Sequence, residues 1–295
     1  MKVHNRRRGL VAAAVVLLVC HATGAMDAQE VPKDGKSWIG HAPQGVRDPN
    51  LPPDESAAKE QLATSPRRSE WVNIPSGSAP AIRSFVVHPQ RSTKSGVVIL
   101  LHEDSGLTEW VRATADQLAK HGFVAIAPDL LSGKGPNGGG TESLGAKAPE
   151  TTRSLSVDDV IARLNAVRDY GAKLPGTNGR VATVGIGWGG DMSFYYALKQ
   201  PQLHGAVTFH GATPNDPKFF TNPKVSILGL YGAADKKRID EDVPLAYATL
   251  GDLYSPHVYL DATGTFLRQQ GVGGNLRATQ WGWSETIAFL NRRIG

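Results

Sequence analysis

The sequence predicts an α/β fold, a mostly parallel central sheet flanked by helices, on two observations. Short apolar runs alternate with stretches of helical periodicity over most of the chain, the order of a sheet wound with helices on its faces. Several runs, residues 97–101 foremost, are continuously apolar, as strands buried on both faces must be.

The elements follow in order. Two extended stretches, around 71–74 and 82–88, start the sheet as an antiparallel pair. A strand at 97–101, a helix near 108–121 and a strand at 123–127 come next. After a glycine-rich loop at 134–145, Val157, Val160, Ile161, Leu164 and Val167 recur at helical spacing. A strand at 181–185 leads into a helix after Trp188. Strands at 206–209 and 225–230, a helix near 241–253, a strand at 257–260 and a helix near 279–292 complete the order. No internal repeat is visible.

The N-terminal residues read differently. Lys2, Arg6, Arg7 and Arg8 precede an apolar run over 10–19, and small residues end at Ala25. That is the layout of a secretory signal peptide over 1–25, and the run is short of the roughly 20 residues of a permanent span. Export to the periplasm or outside the cell is expected, with no stable membrane span after cleavage. Arg7-Arg8 also fits a twin-arginine signal, and Cys20 follows Val19 where a lipidated cysteine would follow a smaller residue. Cleavage takes four basic residues and no acid, so the formal charge falls from +5 to +1. The basic balance belongs to the signal and not to a nucleic-acid surface. Cleavage also takes the only cysteine, which excludes a disulfide, a thiol nucleophile and a thiolate metal site from the mature chain. Residues 26–68 are polar and proline-rich and are expected to form a flexible lead, with one domain over 69–295.

Chemistry concentrates at residues 184–194, Val-Gly-Ile-Gly-Trp-Gly-Gly-Asp-Met-Ser-Phe. Gly185, Gly187 and Gly190 have the spacing of a dinucleotide fingerprint. That reading wants the first strand of its unit and an acid about 20 residues on, whereas this turn follows several strands and the next strand ends in Phe209-His210-Gly211. The alternative is a nucleophile elbow, in which glycines flank the central residue because the turn is tight and the helix packs close. Downstream, Asp235 lies just past a buried strand, where the acid of such a site belongs.

From about residue 70 to the end, the chain resembles the dienelactone hydrolase family. The motifs that carry the resemblance are His102-Glu103-Asp104-Ser105-Gly106-Leu107, Ala127-Pro128-Asp129-Leu130, the elbow at 185–190 and the loop ending at Asp235. The resemblance implies an α/β-hydrolase fold and hydrolysis of carboxylic esters or lactones without a cofactor. Family members usually carry G-x-C-x-G-G at the elbow and G-H-x-F in the histidine loop. Aligned on these, the nucleophile position is Gly187 and the histidine position is Gly264. Asp235 matches the acid, Glu103 the carboxylate beside the nucleophile, and Arg268 a position that holds a substrate carboxylate. The oxyanion donors would be the backbone N–H groups of Trp188 and Asp104. The resemblance thus implies a family member deficient in triad chemistry, and alternatively a binding module for a small ester, lactone or carboxylate.

Plainer roles stand beside these. Gly187 suits a turn of positive φ whatever its history, and Asp235 also fits a helix cap. His102 and Glu103 fit structural hydrogen bonds, and Arg268 a surface ion pair. His210, at another strand end, is a stand-in base. Ser193 lies too far into its helix to replace a nucleophile, and Trp281 and Trp283 read as packing. The loop at 133–140, with Lys134 and Asn137, suits a mobile lid. No zinc-like spacing occurs.

Overall fold

The computed structural model describes residues 48–295 apart from 92, 215, 216 and 222. The expected signal peptide and the first part of the expected lead lie outside the described residues. In chain order the elements are α1 (Ala58–Thr64), β1 (Ser69–Ser76), β2 (Ala79–Val87), β3 (Ser95–Leu101), α2 (Glu109–Lys120) and β4 (Val124–Pro128). Then come α3 (Thr141–Leu144), α4 (Ala148–Arg153), α5 (Val157–Lys173), β5 (Thr177–Ile186), α6 (Trp188–Lys199) and β6 (Gly205–Phe209). The chain closes with β7 (Ile227–Gly232), α7 (Val243–Leu250), β8 (Tyr254–Tyr259) and α8 (Asn275–Ile294).

The strands form one sheet in the order β1-β2-β4-β3-β5-β6-β7-β8. β1 and β2 pair antiparallel, β2 meets β4 antiparallel, and every pairing from β4 to β8 is parallel. Burial on both faces explains the continuous apolar runs. In β3, Val98 and Leu100 pack into the cluster of α2 and α8, and Val97, Ile99 and Leu101 into that of α5 and α6. Side chains of a strand alternate between faces, so each face claims half of the run. Trp283 is buried as expected, whereas Trp281 is 56% exposed.

The flexible lead is corrected for its second part. Leu51 and Ala58 are buried in the core, and Asp54 caps the turn that opens α1. The prolines there lack N–H groups but keep carbonyl acceptors, and domain side chains use them. Trp110 Nε1 donates to Pro53 (2.9 Å), Gln117 Nε2 to Pro49 (3.1 Å) and Gln270 Nε2 to Pro52 (2.9 Å). Arg67 pairs with buried Asp116 at 2.5 Å. A polar, proline-rich composition marked these residues as unstructured because their partners lie far along the chain.

The glycine-rich loop is also pinned. Asp129 accepts the N–H and the hydroxyl of Thr141, both at 2.8 Å, and the Thr141 hydroxyl accepts the Leu107 N–H at 2.9 Å. Lys134 pairs with Asp159 at 3.2 Å. These ties oppose the lid expected of this loop.

Candidate active site

The site lies at the carboxyl edge of the parallel strands, where α/β sheets place their ligands. Backbone hydrogen bonds continue past the strand ends and hold the tips side by side. Gly187 N–H donates to Phe209 (2.9 Å), His210 N–H to Leu230 (2.8 Å), and Ala233 N–H to Tyr259 (3.0 Å). Ala234 N–H reaches Ala262 at 3.3 Å. The sheet order therefore lines up the ends of β3, β5, β6, β7 and β8, which carry Glu103, Gly187, His210, Asp235 and Gly264.

At the elbow the glycines have different reasons. A Cβ on Gly185 would lie 2.0 Å from the Gly189 oxygen, and one on Gly189 would lie 2.4 Å from the oxygens of Leu101 and His102. A Cβ on Gly190 would come within 2.7 Å of Thr208 Oγ1 and 2.9 Å of Gly211 Cα. Close packing of α6 on the strand tips therefore requires all three. Gly187 caps α6 at φ +54°, ψ −120°, a region that strains any L side chain. Space is not its constraint. The nearest atoms to a Cβ there are Glu103 Cγ at 3.8 Å and Oε1 at 3.9 Å. The dinucleotide-like spacing is thus accounted for by packing and turn geometry. Ser193 faces inward, donating to the Val207 carbonyl and bonding Thr183, as its distance from the elbow predicted.

After β3, His102 is fully buried and fixes the next turn. The Leu130 N–H donates to His102 Nε2 (3.2 Å), so the proton sits on Nδ1 and is donated to the Glu103 carbonyl at 2.6 Å. Burial lowers its pKa and keeps the ring neutral. Its ring stacks on Trp188, with centroids 5.7 Å apart. Gly106 N–H donates to the same Glu103 carbonyl at 3.1 Å. With that carbonyl held toward the interior, the trans peptide directs the Asp104 N–H the opposite way. Trp188 opens α6, so its N–H has no acceptor within the helix. The Asp104 side chain is drawn off by Arg153 at 2.6 Å.

Glu103 is mostly buried, and burial raises its pKa against the opposing charge of Arg268. Arg268 Nη1 lies 3.2 Å from Glu103 Oε2 and 3.7 Å from Glu55 Oε1. The arginine that the resemblance assigns to a substrate carboxylate is therefore held by two carboxylates of the protein.

On the other flank Asp235 lies beside His210, whose Nε2 is 3.4 Å from Asp235 Oδ2. Arg238 shares that oxygen at 3.3 Å, and its backbone N–H donates to Asp235 Oδ1 at 3.2 Å. Asp235 thus caps a turn and faces a histidine at once. That histidine comes from the end of β6. It occupies the space at Gly264, where a Cβ would lie 2.3 Å from His210 Nε2.

His210 has φ +54°, uncommon for a residue with a side chain, although His is among those that tolerate it. Its surroundings hold it there. Arg238 Nη1 donates to the His210 carbonyl, and Asp191 accepts the Ala212 N–H at 2.5 Å. Burial lowers the His210 pKa, Arg238 lowers it further, and Asp235 opposes both. Asp191 is pushed up to about 6 by burial. Sequence reasoning missed Asp191 and Arg238. The acid two residues after Gly189 was visible, but its partner is a backbone group 21 residues away.

Among the described residues no group of three or more His, Asp or Glu side chains is placed to hold a metal. The arrangement offers an elbow that only glycine enters without strain, the backbone N–H groups of Asp104 and Trp188, a carboxylate–arginine pair on one flank and a histidine–carboxylate pair on the other.

Comparison with known proteins places the fold. The family model described as the dienelactone hydrolase family matches residues 82–294. A protein of Escherichia coli K12, provisionally named a carboxymethylenebutenolidase, is 32% identical over 218 residues, covering 68% of this chain and 78% of its own. Two solved structures share the fold. A provisionally assigned dienelactone hydrolase from Klebsiella pneumoniae superposes with a TM-score of 0.66 at 22% identity, over 75% of this chain and 97% of its own. The dienelactone hydrolase of Anabaena variabilis superposes with a TM-score of 0.62 at 18% identity, over 78% and 99%.

Proposed function

The chain belongs to the dienelactone hydrolase family, and from that premise we propose that it is an exported ester- or lactone-directed member that has given up covalent catalysis. One observation carries the proposal. Gly187 keeps an elbow conformation that would strain any other residue, between glycines that packing requires, yet presents no attacking atom. In a triad that acts as a unit, losing the nucleophile costs about a million-fold in turnover, while oxyanion donors and binding still leave roughly 10³–10⁴ over water. Hydrolysis by the natural chain is then slow, proceeds by water attack and passes through no acyl-enzyme. The basic, apolar and small residues over 2–25 support export.

A fluorophosphonate probe and p-nitrophenyl acetate test this reading on the purified mature chain. The expected result is no covalent label and no burst of p-nitrophenol. A stoichiometric burst or label would overturn it.

A second reading, a binding module for a small carboxylate, ester or lactone, draws on Arg268. A ligand carboxylate would have to displace Glu103 or Glu55 from the guanidinium. Thermal shifts with a panel of carboxylates, lost in Arg268→Ala, would support it, and no shift across the panel would dismiss it.

A further inference from the structure

We propose that His210 is the proton-transfer histidine of this site, backed by Asp235 and admitted by Gly264, and that it takes its proton from a water molecule attacking the substrate carbonyl. The inference rests on Gly187 being the nucleophile position and goes beyond it, because it assigns a working group to a site that looks stripped of one.

The geometry argues from several directions. Gly264 looks like a lost histidine in sequence, but the space beside it is filled. A Cβ at 264 would lie 2.3–2.6 Å from three atoms of the His210 ring. Since those atoms are the far end of a side chain, the ring could swing aside, but only by leaving Asp235. One ring nitrogen faces that carboxylate at 3.4 Å, while Nδ1 is buried without a hydrogen-bond partner among the described residues. A buried ring nitrogen without a partner is costly and calls for an explanation. With the proton on Nε2, beside Asp235, the free electron pair lies on Nδ1, as a base requires. Backbone position places His210 next to the elbow, since the residue preceding it accepts the Gly187 N–H. His210 is also held in its unusual conformation by bonds from β7, Arg238 and the Asp191-anchored loop, which is how strain is retained at working sites.

The step balances without a redox partner. The water oxygen bonds to the ester or lactone carbonyl carbon while one of its protons passes to His210 Nδ1. Collapse of the tetrahedral species breaks the bond from that carbon to the leaving oxygen, which takes the proton from the imidazolium. An acid and an alcohol result, or a hydroxy acid from a lactone. The charged groups facing His210 are Asp235, from the loop after β7, and Arg238, from the turn before α7. The Tyr231 ring lies 6.4 Å away, and Asp191 acts through Ala212.

The test uses Gly187→Ser, because a serine, unlike a thiol, depends on its base. Gly187→Ser should gain a burst with p-nitrophenyl acetate and a fluorophosphonate label, and adding His210→Gln should cost about 10²–10⁴-fold in turnover. Adding Gly264→His should lower turnover, since the new side chain expels His210 from Asp235. A Gly187→Ser rate indifferent to His210→Gln, or raised by Gly264→His, overturns the proposal.

Two measurements on the natural chain keep it open to refutation if Gly187→Ser does not fold. Its slow hydrolysis should rise with pH through an apparent pKa below the ordinary 6.5, and His210→Gln should flatten that profile. The imidazole resonance lost in His210→Gln should titrate lower still in Asp235→Asn, because the opposing carboxylate is gone. An unchanged profile, or a resonance that ignores Asp235→Asn, overturns the assignment. A label on the natural chain would instead refute the loss of covalent catalysis, and the two failures are distinguishable.

Discussion

Gly187 and Gly264 look alike in the sequence, two glycines where the family carries reactive side chains, yet their surroundings are opposites. Beside Gly187 a Cβ would meet only Glu103, at ordinary contact distance. Beside Gly264 it would enter the His210 ring. The first glycine leaves a place open and the second makes way for another residue. A missing functional group is therefore not read from its own position alone; the volume it would fill has to be inspected too.

The steric contrast along the elbow gives the largest expected effect. Gly189→Ala places a Cβ 2.4 Å from two backbone oxygens and should cost about 3–5 kcal/mol or prevent folding. Gly187→Ala meets Glu103 only at ordinary contact distance and should cost only the backbone strain, about 1–3 kcal/mol. Equal losses in chemical denaturation would break the contrast between required and free glycines.

Gly264→Ala comes next, because its Cβ must displace His210 from Asp235. A loss of about 1–2 kcal/mol is expected, the ordinary range for overpacking against a side chain. The His210 resonance should move with it. A silent Gly264→Ala would show that the ring does not need the space.

Asp191→Asn probes how the His210 side is held. The folded pKa of Asp191, about 6, lies above its ordinary 3.8. A raised carboxylate pKa contributes stability that is full below the unfolded value and is lost as pH rises through the folded one. The natural chain should therefore lose stability relative to Asp191→Asn between about pH 4 and 6, by on the order of 2 kcal/mol. The asparagine oxygen can still accept the Ala212 N–H. A pH-independent difference in melting temperature across that window would contradict the burial of this carboxylate.

The smallest effect is expected on the Gly187 side. Glu55→Gln removes the more exposed of the two carboxylates on Arg268, 3.7 Å away, and should change stability by less than about 1 kcal/mol. It should also free Arg268 for a ligand carboxylate, read as a larger thermal shift with the same panel.

Much of this fold was legible because its signals are local or periodic. The run over 97–101 announced a strand covered on both faces, and helical spacing announced α5. The elbow was visible because three of its glycines are sterically required where α6 meets the sheet. The motifs at 102–107 and 127–130 were visible too, although their work is largely scaffolding: His102 ties Leu130 to the Glu103 carbonyl, and Asp129 ties down Thr141. Two expectations failed for one reason. The described part (48–68) of the lead expected over 26–68 and the glycine-rich loop were read as loose, but each is held by partners distant in sequence, Gln270 and Trp110 in one case and Asp129 and Asp159 in the other.

By itself the sequence determined the alternation of strands and helices, the tight turn at 185–190 and the chemical identity of Glu103, Asp235 and Arg268. These follow from side-chain periodicity and from steric rules that act over a few residues. Tertiary structure decided which groups face one another. The sheet order β5-β6-β7-β8 brings 187, 210, 235 and 264 to one edge, turns Arg268 onto Glu103 and Glu55, and seats His210 beside Asp235 in the space over Gly264. Those pairings depend on strand order and on the volume each residue excludes, and neither is written in the spacing of residues along the chain.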